Sequence, residues 1–141
     1  MSVAKSTNYI NKKMIVVINR LCISWTGGAR NSQSNMRKGT NLSFVEQIFH
    51  NHVYGEEIYP DKYHLAAAYM FYIIKNHVFN DGNKRTGLVT AITFLQWNGI
   101  VFTPFDEDAV FYFVMSIAEG ENNPDNVIPK IATWLYGLSL Q

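Results

Sequence analysis

The stretch between residues 61 and 98 constrains the fold more than any other part of the chain. From Asp61 to Asn76 the apolar residues Leu65, Ala68, Tyr69, Tyr72 and Ile73 recur at spacings of three and four, which predicts an α-helix. Ala66, Ala67 and Ala68 let a neighbour approach closely. The segment is apolar on most sides, so it belongs at the centre of the fold. Pro60 and Asp61 suit its N-terminus. A second helix is predicted from about Asn83 to Asn98, with Leu88, Ala91, Ile92 and Leu95 on its buried face and Gly99 as its stop. Two buried helices joined by a short loop hold that loop rigidly.

The loop and the start of the second helix read His77, Val78, Phe79, Asn80, Asp81, Gly82, Asn83, Lys84, Arg85, Thr86. This is dense chemistry for a chain in which 16% of residues are charged. An imidazole such as His77 can accept a proton in the physiological range. Asp81 is a hard oxygen ligand of the kind Mg²⁺ takes alongside phosphates and waters. Gly82 permits a tight turn and close approach of a ligand to the backbone. Asn83 begins a helix, and the free N–H groups there favour an anion. Lys84 and Arg85 add positive charge, and Arg can grip phosphate with two hydrogen bonds. Singly, each residue has a plainer explanation: a solvated histidine, an Asp-Gly turn, an asparagine cap, a charged helix face. Together they supply a base, a metal ligand, an anion cradle and a clamp, the parts needed for phosphoryl or nucleotidyl transfer to a hydroxyl. Phe79 reads as a core anchor for the loop.

The stretch resembles the signature of the Fic/Doc (Fido) family, His-x-Phe-x-Asp/Glu-Gly-Asn-x-Arg, and His77, Phe79, Asp81, Gly82, Asn83 and Arg85 fill its defining positions. The resemblance extends over roughly residues 44 to 136 and is less clear before that. It implies an all-α Fic/Doc fold, with about six helices around the central pair, the motif loop between them, and a short β flap near residues 51 to 60. It also implies ATP and Mg²⁺ as cofactors. By that resemblance His77, Asp81 and Arg85 are catalytic, Asp81 holds the metal, and Gly82, Asn83, Lys84 and Arg85 bind the nucleotide.

Adenylylating members usually carry Gly where this chain has Lys84, whereas the Doc-like "death on curing" toxins read Asn-Lys-Arg. A long side chain there would crowd a nucleotide posed for attack at its α-phosphate. The resemblance therefore implies a kinase that presents the γ-phosphate to a target protein of the elongation factor Tu type, with an antitoxin acting in trans. Gly82 is the usual residue of the wider family, while some Doc toxins have Ala there, so AMPylation stays open as the alternative. A catalytically silent binding module is a second rival. The family's self-inhibitory helix has a Ser or Thr four residues before its Glu; Ser116 to Glu119 is one residue short, so no inhibition in cis is expected.

The remaining chain adds bounds. At 141 residues, 48% hydrophobic and 14% aromatic, it can bury a sizeable core as a single domain. We divide it into an N-terminal segment, 1–40, partly loose, and a catalytic domain, 41–141. A net charge of +1 argues against direct nucleic-acid binding or membrane attraction. The single cysteine, Cys22, allows no internal disulfide and suits a reducing cytoplasm. No run approaches the roughly 20 apolar residues of a membrane span, and the apolar run after Lys12 and Lys13, broken by Asn19 and Arg20, makes a poor signal peptide. Met14 to Ile23 fits a strand by its β-branched content or a buried helix by its length; the resemblance implies the helix. Gly27, Gly28, Ala29 and Arg30 resemble a Gly-Gly-x-Arg segment of Doc-like chains. Leu42 to Tyr54 is predicted helical with Thr40 or Asn41 as its cap. Ile100 to Phe102 reads as an extended link, and further helices are predicted over Asp106–Ala118 and Asp125–Tyr136. His50 and His52, two apart and without a third ligand, are too sparse for a metal site.

Overall fold

The computed structural model describes residues 7–26, 35–51 and 57–140. The segment 27–30, His52 and half of the expected flap, residues 52–56, lie outside the described residues. Among the described residues there are six helices: α1 (Lys12–Thr26), α2 (Phe44–Phe49), α3 (Lys62–Lys75), α4 (Asn83–Trp97), α5 (Glu107–Glu119) and α6 (Pro124–Leu138). Among the described residues, β pairing is confined to two isolated bridges, Met36 with Phe79 and Phe102 with Ser139. The described part of the chain is all-α, as expected.

Helix α3 is the core. Nine of its residues, Leu65 to Phe71 together with Ile73 and Ile74, are buried. It packs on α4 and α6 most extensively, and on α2 and α5 more lightly. The Asp61 side chain accepts from the His64 N–H and caps its start. Close approach of α3 and α4 depends on Gly87, where an added Cβ would stand 3.0 Å from Ile74 Cγ1 and 3.1 Å from the Met70 carbonyl oxygen. Tyr69, fully buried, donates to the Ile10 carbonyl at 2.8 Å and accepts from the Ile10 N–H at 3.0 Å. Asn8 and Asn98 exchange a similar pair of bonds. The polar arm before α1 is thereby tied to the end of the central helix pair.

Helix α1 lies on α4. Ile15, Asn19, Cys22 and Ile23 face inward at helical spacing. Val17, Leu21 and Trp25 are exposed large apolar residues on its other side, which blurs the period in the sequence. Helix α2 is shorter than the predicted Leu42–Tyr54. Asn51 ends it: its side chain donates to the Tyr59 carbonyl at 2.9 Å and accepts from the Tyr59 N–H at 2.7 Å, pinching the chain together. Of the two expected caps, Asn41 accepts from the Ser43 N–H at 2.9 Å just ahead of the helix, while Ser43 itself makes no side-chain cap bond. The Thr40 hydroxyl instead lies 2.7 Å from the Val78 carbonyl of the motif loop. Helices α5 and α6 are capped by Asp106 and Asn123. No helix among the described residues is long and apolar enough to cross a membrane.

Candidate functional site

The motif loop leaves α3 through a strained residue. His77 has φ +46° and its neighbours Val78 and Phe79 are buried. A non-glycine residue in this left-handed region is held there by its surroundings. Val78 and Phe79 act as plugs, so the exposed His77 is turned outward just before the chain is fastened. The fastening is backbone pairing: Arg37 N–H donates to the Val78 carbonyl at 2.8 Å and Asn80 N–H to the Asn35 carbonyl at 3.0 Å. Phe79 is the core anchor expected.

Asn83 closes the loop on itself. Its side chain accepts from the Phe79 N–H and donates to the Phe79 carbonyl, each at 2.9 Å. Both ends of the carboxamide are thus used within the loop, and what Asn83 offers to a ligand is its backbone N–H. Gly82 then turns the chain into α4 at φ +79°, with no side-chain cap. An added Cβ there would meet Asn19 Nδ2 at 3.3 Å and Ile23 Cγ1 at 3.4 Å. Glycine is therefore favoured by both the left-handed φ and the packing. The first amides of α4 are left without intrahelical acceptors, and that is the condition for an anion site.

The charged residues surround this helix end. Asp81 is exposed, and its Oδ1 accepts from the Gly82 N–H at 2.8 Å. Lys84 and Arg85 are exposed on the first turn, and no ion pair joins either to a described carboxylate. The structure thus gathers His77, Asp81, Gly82, Asn83, Lys84 and Arg85 at one end of the central helix pair. Among the described residues no group of three or more His, Cys, Asp or Glu side chains could form a dedicated metal cage. A lone carboxylate fits Mg²⁺ that keeps its waters and arrives with phosphate. Two cavities, of about 700 and 410 Å³, lie elsewhere and take no residue from the loop.

Sequence reasoning missed the residues behind the loop. Asn19, Asn35 and Thr86 are fully buried polar residues. Asn19 Nδ2 donates to the Asp81 carbonyl and to Thr86 Oγ1, both at 3.0 Å. Asn35 Nδ2 donates to Asn19 Oδ1 at 3.1 Å, and Asn80 Nδ2 approaches Asn35 Oδ1 at 3.5 Å. Their only signal in the sequence is an asparagine breaking the apolar run of α1. Cys22 sits beside them. Burial pushes its thiol up, against the opposing pull of the Thr86 hydroxyl and the Arg85 charge, so it is a packed core residue and not a poised thiolate.

A sequence profile of the Fic/DOC family matches residues 9–95, which includes α1 as well as the motif. The chain is 35% identical over 81 residues to a protein of Mycolicibacterium smegmatis named Toxin Doc, covering 57% of this chain and 62% of the relative. It is 35% identical over 82 residues to a protein of Escherichia phage P1 named Protein kinase doc, covering 58% of this chain and 62% of that one. The chain therefore spans less than two thirds of the length of these curated relatives. The profile match carries the loop, most of the helix it opens and the helix behind it. On that match the chain belongs to the Fic/DOC family.

Proposed function

We propose that this protein is an ATP-dependent transferase that phosphorylates a hydroxyl side chain of a target protein. The observation that carries the reading is the uncapped start of α4 at Gly82, flanked by His77, Asp81, Lys84 and Arg85. The names of the two relatives, a Doc toxin and a Doc protein kinase, support it.

In this reading His77 takes the proton of the target hydroxyl as that oxygen bonds to the γ-phosphorus and the bond to the β-phosphate oxygen breaks. The backbone amides of Asn83 and Lys84 cradle the phosphates, and Gly82 lets them approach the backbone closely. Arg85 neutralises the charge that develops during transfer. Asp81 holds Mg²⁺, which supplies charge neutralisation on the phosphates when bound. Lys84 occupies the start of α4, where its bulk and charge favour a nucleotide posed with the γ-phosphate toward His77. The biological reading is a toxin that acts on translation, with an elongation factor Tu type of target, held in check by an antitoxin in trans in the cytoplasm. The second reading is adenylylation at the same site, favoured by Gly82, which the adenylylating branch shares.

The test is transfer of radiolabel from ATP to protein in a bacterial lysate with Mg²⁺. Wild type should label a protein band. His77→Ala should abolish labelling while the variant stays folded, because the His77 side chain is exposed and makes no hydrogen bond among the described residues. Full labelling by the variant would remove His77 from the base role. Expression of the chain alone should slow bacterial growth, and unaffected growth would count against the toxin role.

A further inference from the structure

We propose that Asn19, on α1, is a positioning residue that sets the direction of the Asp81 carboxylate through the peptide plane between Asp81 and Gly82. The inference rests on the transfer reading only for what the carboxylate is used for.

The argument starts from the carbonyl of Asp81. Asn19 Nδ2 holds that oxygen inward at 3.0 Å. In a trans peptide the C=O and the following N–H point in opposite directions, and no cis bond occurs among the described residues. Fixing the Asp81 oxygen inward therefore sends the Gly82 N–H outward. There it donates to Asp81 Oδ1 at 2.8 Å and tethers one carboxylate oxygen. A buried amide on a separate helix thus orients an exposed carboxylate it does not touch.

The orientation of Asn19 is itself determined. Its oxygen accepts from Asn35 Nδ2 at 3.1 Å, so its nitrogen must face the loop. The same nitrogen donates to Thr86 Oγ1, in the first turn of α4. Asn80 donates toward Asn35, and the donors run head to tail from Asn80 through Asn35 and Asn19 to the carbonyl of Asp81, the residue after Asn80. This closed chain joins α1, the segment at Asn35 and the motif. Every member of it is neutral, so it fixes geometry in a buried place without burying a charge. Asn19 also packs over Gly82, 3.3 Å from where a Cβ would stand.

Asn19→Leu keeps the branching and the number of side-chain heavy atoms and removes both ends of the amide. Amide hydrogen exchange on the ligand-free protein should then speed up by about tenfold or more at Phe79 to Thr86 and stay unchanged at Tyr69 and Met70 in α3. In transfer assays the Mg²⁺ concentration for half-maximal labelling should rise roughly 10–100-fold, the range seen when a partner behind a metal ligand is lost, with labelling recovered at high Mg²⁺. A residue that only supports the fold would lower labelling at every Mg²⁺ concentration alike. Should Asn19→Leu fail to fold, Asn35→Asp replaces it. Asp tolerates the left-handed φ of +57° at that position and removes the donor that orients Asn19. Unchanged exchange in the loop of a folded variant, or loss of labelling without a shift in Mg²⁺ requirement, overturns the proposal. If wild type transfers no label, the transfer reading fails, and the exchange result alone decides whether Asn19 positions the loop.

Discussion

At the scale of single residues, the motif was legible because its chemistry is consecutive. A base, a carboxylate, a glycine and two cations within one stretch need no knowledge of the fold to be noticed. The buried amides behind them were hidden because their partners are distant in sequence: Asn19 bonds residues 62 and 67 positions away. Asn83 shows the same limit at short range. Its type announces a helix start, but only the structure shows its side chain committed to Phe79. Two residues outside the site make separate predictions. Tyr69→Phe leaves the Ile10 N–H and carbonyl without their partner in a buried place, and should cost about 1–3 kcal/mol in urea unfolding. Thr90 is the reverse case. Its buried hydroxyl has no hydrogen-bond partner among the described residues, so Thr90→Val should unfold at an equal or higher urea concentration. A loss above about 1 kcal/mol would show an unseen partner.

At the scale of elements, the central pair α3 and α4 was readable from periodicity because most of α3's surface is buried. Helix α4 departs in detail. Leu88 and Ile92, expected inside, are half-buried, while Thr86, Gly87, Thr90 and Phe94 are fully enclosed. The reason is that α4 lies between α3 and α1 and buries two sides, which a single-face reading cannot assign. Helix α1 was ambiguous because apolar residues lie on both its faces. The length of α2 was missed because Asn51 stops it through a contact with Tyr59, beyond the reach of local propensity. Gly87 tests the closeness of the central pair. Gly87→Ala gains about 1 kcal/mol of helix propensity but forces a methyl against the Met70 backbone, where overpacking costs roughly 1–3 kcal/mol. The net expectation is a lower urea midpoint, and a higher one would mean that α3 and α4 can separate without loss.

At the scale of the molecule, two buried tyrosines couple the core to pH. Burial holds the hydroxyls of Tyr59 and Tyr69 well above the ordinary tyrosine range. A pKa raised on folding gives stability that is complete below the unfolded value and is lost as pH climbs above it, because the unfolded chain then ionises while the folded one does not. Melting temperature should therefore fall as pH rises beyond about 10, and Tyr69→Phe should flatten that fall. The larger question is what the helix start at Gly82 is for. The most direct measurement uses ATP labelled separately at the α- and γ-phosphates, with purified protein, Mg²⁺ and a bacterial lysate. Protein labelled from the γ-position alone, and lost in His77→Ala, is the predicted result. Label from the α-position would contradict the kinase reading and show that Lys84 does not block that pose, and label from neither would contradict the transferase account itself.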